Sequence, residues 1–463
     1  MIFFIPLSSL NVLADYEEIS GALPDGTAYQ ISVPDNWNKV LIRDLDFVSN
    51  MLGPNVDRVR GLLQNGYAVA GTARHALRKW QYDPAHEIGN LIQVQNLFVE
   101  KFGKPVKVIQ YGFSGGGHVT LATAEDFSDG IDGAVALAAH TPVWIMNSFL
   151  DGWFVLRSLI SQYYVDEGYG PASDLQYINL PNDNDSATSG HGMVGPIVEA
   201  WQKAFTAAYN SPGGRARLAL AFTLGEWSPW LADDTPRPAS NNPDEIATSI
   251  YDSVMRLAGS PGGEARIIFE NAAKGQQLSW NDNVDYKSFY ENANPAMKRA
   301  VQHLYEEANV DINSDFDALD NEPRISASDY ALEYWNQPGR TAKGRIKIPV
   351  MRLHMLGDYQ IPYSLVKGYT DLITENNNDD LYRTAYIDST GHCNFSAAES
   401  LAAVEIVIKR IDSGEWHDTD PDSLNDFANS FRTNSPARFM PISDWQVEKY
   451  NRTWAPEAFG TAQ

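Results

Sequence analysis

Residues 107 to 126, KVIQYGFSGGGHVTLATAED, constrain the fold more than any other stretch of the chain. The apolar run KVIQY has strand character and ends at Tyr111. It passes at once into Gly112, Phe113, Ser114, Gly115, Gly116 and Gly117, and a helix pattern then runs from about Gly116 to Glu125. A strand that turns so sharply into a helix needs glycine wherever a side chain would meet backbone, and it lifts the central Ser114 out of the sheet. The motif G-x-S-x-G is a weak signal by itself; a buried strand before it and a helix after it supply the required context. The rival is a glycine-rich phosphate cradle, but the turn lacks both the lysine of a P-loop and the spacing of a dinucleotide fingerprint.

Around this turn the chain alternates short apolar runs with helical stretches, the pattern of an α/β protein whose mostly parallel sheet is flanked by helices. YQISVP from Tyr29, KVLIRDL from Lys39 and YAVAGTA from Tyr67 read as strands. Between Glu87 and Phe102 the apolar residues fall at helical spacing, stopped by Gly103 and Pro105. AVALAAH, ending at His140, is a further buried strand. The rhythm then changes: residues 141 to 347 read as helices joined by polar, Pro-rich and Gly-rich connections such as LPNDNDSATSGHG. The expected organisation is a first part of the body over 1–140, a helical cap inserted between strands 6 and 7 over 141–347, and a second part over 348–463. KIPVMRLHML and YRTAYID supply the returning strands there, with helices near 364–375 and 397–411 and an aromatic C-terminal tail that wraps the body.

A serine nucleophile needs a base and a group to orient that base. Among the nine histidines His392 is best placed, in the small-residue turn Ser389-Thr390-Gly391 after the last strand. His118 is one helical turn beyond Ser114 and reads as a packing residue, and His140 as a substrate contact. Asp358 follows Gly357 directly after a strand and precedes His392 by 34 residues. Asp388 is the rival acid, but it is too near His392 in sequence to orient the ring. With GFSGGGH, MLGDYQIP and TGHCNF in this order, residues 28–140 and 345–411 resemble the body of an α/β-hydrolase. That resemblance implies a serine hydrolase with Ser114, Asp358 and His392 as triad. A narrower resemblance is to tannase and feruloyl esterase triad loops, which carry a cysteine before the serine and another after the histidine, joined as a disulfide. Here Cys393 follows His392 but Phe113 precedes Ser114, so that bridge cannot form.

In this fold one oxyanion-hole donor is the backbone N–H after the nucleophile, here Gly115, and the second comes from the loop after the third strand, at Asp46 or Phe47. That loop also holds Asp44, and ion pairs from Asp44 and Asp46 to Arg43, Arg74 or Arg78 are expected. His140, Trp144 and Tyr359 are the candidate substrate contacts, lining an apolar pocket under the cap. The expected activity is cleavage of a small hydrophobic or aromatic carboxylic ester through an acyl-enzyme. Acyl transfer, lactone or C–C bond cleavage by the same triad is the alternative, as is a non-catalytic small-molecule-binding protein.

Composition narrows the partners. Lys and Arg number 35 against 59 Asp and Glu, a formal charge of −24 that disfavours nucleic acid and anionic lipid. The partner is then a small-molecule substrate. One cysteine excludes a disulfide framework and a Cys-based metal site, and neither metal nor organic cofactor is implied. MIFFIPLSSLNVLA reads either as a signal segment without its basic start or as an N-terminal strand, and the want of cysteine pairs tilts the reading towards the cytoplasm. No other segment reaches the length of a membrane span.

Overall fold

The computed structural model describes residues 16–48, 57–76, 82–180, 195–257, 263–431 and 436–452. The N-terminal run 1–14, most of LPNDNDSATSGHG and Arg78 lie outside the described residues. Nine strands form one sheet in the order β1-β2-β4-β3-β5-β6-β7-β8-β9. They are β1 (Tyr16–Ala22), β2 (Ala28–Pro34), β3 (Val40–Asp44), β4 (Ala68–Thr72), β5 (Lys107–Phe113), β6 (Gly133–Leu137), β7 (Val350–Gly357), β8 (Tyr382–Thr390) and β9 (Phe439–Met440). β3 to β8 run parallel, and β1, β2 and β9 pair antiparallel at the two ends.

β3, β4 and β6 are buried throughout, which is why they read as continuous apolar runs and not as alternations. The pleat divides their side chains between two faces. Leu41, Ala68 and Val108 meet Val94 and Phe98 of α2 (Pro84–Phe102). Ile42, Val69 and Ile109 join the larger core with Leu62 and Leu63 of α1 (Asp57–Gln64). α3 (Gly115–Asp126) packs beside α2.

Between β6 and β7 every regular element of the described residues is helical. These are α4 (Pro142–Asp166), α5 (Gly195–Tyr209), α6 (Pro212–Leu224), α7 (Pro243–Leu257), α8 (Gly263–Ala272), α9 (Tyr286–Glu291), α10 (Pro295–Ala308), α11 (Ile312–Asn321) and α12 (Asp329–Trp335), with one short 3-10 turn at Ala172–Asp174. After β7 come α13 (Leu365–Glu375), α14 (Ala397–Ser413) and α15 (Pro421–Asn429). No helix among the described residues is long and apolar enough to cross a membrane.

The last described residues return over the molecule. β9 pairs with β8, and Trp445, Tyr450 and Arg452 are buried. Arg452 grips Asp151 of α4 through Nε (2.7 Å) and Nη2 (2.6 Å), while Asn451 Nδ2 donates to Glu226 at 2.7 Å. A buried carboxylate is tolerable only when bonded in this way.

Candidate active site

The turn after β5 has the geometry its glycines require. A Cβ on Gly112 would stand 2.4 Å from the Gly116 carbonyl oxygen, and one on Gly117 would stand 2.6 Å from that of Leu137. Neither position admits a side chain. Ser114 itself sits at φ 55°, ψ −121°, a sparsely populated conformation costing about 1–3 kcal/mol, and is held by its N–H to the Leu137 oxygen (3.0 Å). It caps α3 without using its side chain, so the hydroxyl stays available at the positive end of the helix.

Asp358 and His392 meet across 34 residues of sequence. His392 Nδ1 lies 3.0 Å from each oxygen of the Asp358 carboxylate, which is buried. Asp358 Oδ1 also accepts the N–H groups of Gln360 (2.9 Å) and Ile361 (3.0 Å), which fixes its plane. His392 Nε2 is buried and makes no hydrogen bond to protein. Burial disfavours the imidazolium, yet the Asp358 charge outweighs it and the ring binds its proton well above the ordinary 6.5. His118 and His354 are the contrast: burial brings both down to about 4, so they stay neutral.

The histidine turn is fastened from a distance. Arg438, just before β9, donates from Nη2 to the Asn394 oxygen (2.7 Å), from Nη1 to Ser389 Oγ (3.0 Å) and from Nε to buried Glu399 (3.0 Å). Cys393 is the single thiol; burial pushes it up, with the neighbouring His392 charge opposing.

Asp46 and Phe47 follow β3 against the serine turn, with Asp46 Oδ2 placed 2.9 Å from where a Gly116 Cβ would stand. The Asp46 N–H is already given to Asp44 Oδ1 at 3.0 Å. Of the expected ion pairs, Arg74 takes Asp46 in a two-pronged contact through Nε and Nη2. Arg43 instead donates to Gln110 (2.6 Å) and Gln95 (3.0 Å).

Tyr359 lies with its ring 6.3 Å from that of His392 and lines a narrow crevice with Phe149, Trp227, Leu231, Leu257 and Asp358. His140 stands apart from that crevice, its ring 5.5 Å from that of His118. Trp144 is buried under Tyr450 of the C-terminal segment at 5.3 Å. Sequence reading passed over Tyr450, because only the returning tail brings it there. Trp227, one of the tryptophans of the helical region that helical spacing assigns to the core, and Phe149 reach the crevice instead.

A mostly parallel sheet in this strand order, with a strained serine between β5 and its helix, defines a serine hydrolase of the α/β-hydrolase superfamily. Over 441 residues the chain is 64% identical to o-phthalyl amidase of Xanthobacter agilis, a match covering 95% of this chain and 97% of the relative. The chain belongs to the family of that amidase. No protein-family model matches it. Among solved structures it is similar to feruloyl esterase B from Aspergillus oryzae, at 15% identity over 87% of this chain and 82% of the other, with a TM-score of 0.44. Lipase A of Candida antarctica is similar at 13% identity over 86% and 77%, with a TM-score of 0.36.

Proposed function

We propose that the chain cleaves the amide of a small aromatic acid carrying a second, ortho carboxylate, with the corresponding ester as a further substrate. The observation that carries this reading is the 64% identity, along nearly the whole length of both chains, to a protein named for the o-phthalyl group. Ser114 Oγ attacks the acyl carbon while His392 Nε2 takes its proton. Gly115 N–H stabilises the oxyanion together with a second backbone donor, for which Phe47 is the better candidate because the Asp46 N–H is already engaged. The C–N bond then breaks as His392 returns the proton to the leaving amine. Water attacks the acyl-enzyme by the same route and releases the acid. An amine leaves only when protonated, and His392 supplies the proton it has taken from Ser114.

In a chain of charge −24 an anionic substrate needs a local cation. Arg74 is our candidate for binding the ortho carboxylate, its guanidinium held in place by Asp46 through Nε and Nη2. Residues 141–347 serve as the cap over this site.

The test pairs a fluorophosphonate label, read by intact mass, with turnover of 2-carboxybenzanilide and of benzanilide. One adduct on the wild type and none on Ser114→Ala, with cleavage of 2-carboxybenzanilide only by the wild type, is the expected result; cleavage undiminished in Ser114→Ala would refute the nucleophile. Arg74→Gln should raise KM for 2-carboxybenzanilide at least tenfold while changing benzanilide hydrolysis little. Equal losses on both compounds would assign Arg74 a purely structural role.

A further inference from the structure

Asp25, His75 and His86 come from three separate parts of the chain: the turn between β1 and β2, the segment after β4, and the first turn of α2. Their side chains converge on one point. His86 Nε2 is 2.8 Å from Asp25 Oδ2 and His75 Nε2 is 3.9 Å from the same oxygen. All three potential ligand atoms lie within 4.8 Å of one another. The two imidazoles stand edge to face, their centroids 4.8 Å apart.

A hydrogen bond between His86 and Asp25 explains only half of this, since it leaves His75 beside the carboxylate at 3.9 Å. A divalent ion would engage all three groups at once, imidazole nitrogens and a carboxylate oxygen being ligands it prefers. The carboxylate is built for that state. Asp25 Oδ1 accepts the Thr27 N–H (2.8 Å), and Oδ2 accepts Asn90 Nδ2 and Thr27 Oγ1 (each 2.9 Å), so its orientation is set by neighbours that are not themselves ligands.

We propose that Asp25, His75 and His86 form a binding site for a divalent transition metal of the zinc type, with water completing four ligands. Two imidazole nitrogens and a carboxylate oxygen suit such an ion better than calcium or magnesium, which want an all-oxygen shell. Ligands about 2.0–2.1 Å from a tetrahedral ion stand roughly 3.3 Å from each other. His86 therefore has to retreat and His75 to advance by only a fraction of an ångström relative to Asp25. The open sides of the rings leave room for the water, the His86 side chain being 44% exposed. The ion would tie the β1–β2 turn to α2 and to the segment that carries Arg74. The site uses none of the residues given a role in the reaction, although His75 adjoins Arg74 in the chain.

Asp244, His303 and Glu307 also approach one another, but all three are exposed and Glu307 is shared with Arg215 at 3.4 Å. They serve as the internal control. Tag-free protein stripped with a chelator and dialysed is titrated with ZnCl2 against a chromophoric competitor, and its thermal midpoint is followed in parallel. One equivalent should bind at micromolar or tighter Kd, raising the midpoint by a few degrees. His75→Ala and His86→Ala should each weaken binding at least tenfold and abolish the shift, while His303→Ala leaves both unchanged. His86→Gln, which can keep a hydrogen bond to Asp25, gives the same reading should the alanine variant fold poorly. No tight equivalent, or one lost in His303→Ala and kept in the His75 and His86 variants, would overturn the proposal.

Discussion

The serine turn and the histidine turn both follow the carboxyl ends of parallel strands, β5 and β8, and are held in opposite ways. Ser114 is positioned by what is next to it in sequence: β5, three glycines and the first turn of α3 fix it within a few residues. His392 is positioned by groups far along the chain, namely Asp358 from the end of β7 and Arg438 from the segment before β9. A locally built turn stores strain and tolerates no extra atom. A turn built from distant contacts tolerates atoms but depends on the integrity of the fold, so the two should fail differently.

The largest expected effect tests the local turn. Gly112→Ala puts a methyl 2.4 Å from the Gly116 oxygen and 2.5 Å from its carbonyl carbon, backbone atoms that cannot swing aside as a flexible side chain can. We expect loss of measurable turnover and destabilisation of about 2–4 kcal/mol, the upper range for single substitutions, read by denaturant unfolding alongside the amidase assay. A variant that kept a tenth of its activity would mean that the turn is less tightly built than its geometry requires.

This contrast also explains what could be read from the sequence. The strands from β2 to β8, the serine turn and the helices beside it have a local signature, because buried parallel strands are continuous apolar runs and the turn advertises its glycines. β1 has none: YEEISGA lies at the sheet edge with its side chains largely exposed, so no apolar period marks it. β9, two residues long, is equally silent. That His392 and Asp358 should meet could be inferred from their places after strands, but Arg438 could not, since nothing in Ala437-Arg438-Phe439 points back to Asn394. The same holds for Trp144, which was expected to face a pocket and is covered by Tyr450. The Asp46 N–H was a candidate donor on position alone, and only the structure gives it to Asp44.

A middle-sized effect sharpens the other half of the comparison. Arg438→Ala removes the tie between Glu399, Ser389 and the Asn394 oxygen while touching neither His392 nor Asp358. We expect kcat to fall about tenfold with KM little changed, as for loss of positioning at the reacting groups, and stability to drop by about 1–3 kcal/mol because Glu399 loses a charged partner in a buried place. Loosening the His392–Asp358 contact should also move the acidic limb of the kcat profile down towards 6.5. Arg438→Lys should restore part of kcat. An unchanged pH limb with a full loss of kcat would mean that Arg438 acts on the fold and not on the histidine turn.

The smallest effect concerns the same returning segment where it reaches the helical region. Burial lifts Glu226 to about 8, with its bonds from Asn451 opposing. Its folded pKa thus lies above its unfolded value of about 4.5, so the folded state binds a proton the unfolded state has already released. The sign follows from linkage: the contribution to stability is full below the unfolded value and is lost as pH rises towards about 8. Glu226→Gln keeps an oxygen for Asn451 and cannot ionise, so its stability should fall less between pH 5 and 8 than that of the wild type. Urea midpoints at the two ends of that window measure the difference. Parallel slopes would mean that the Asn451 contact keeps Glu226 ionised throughout, and that the tail is held to the helices by charge and not by a shared proton.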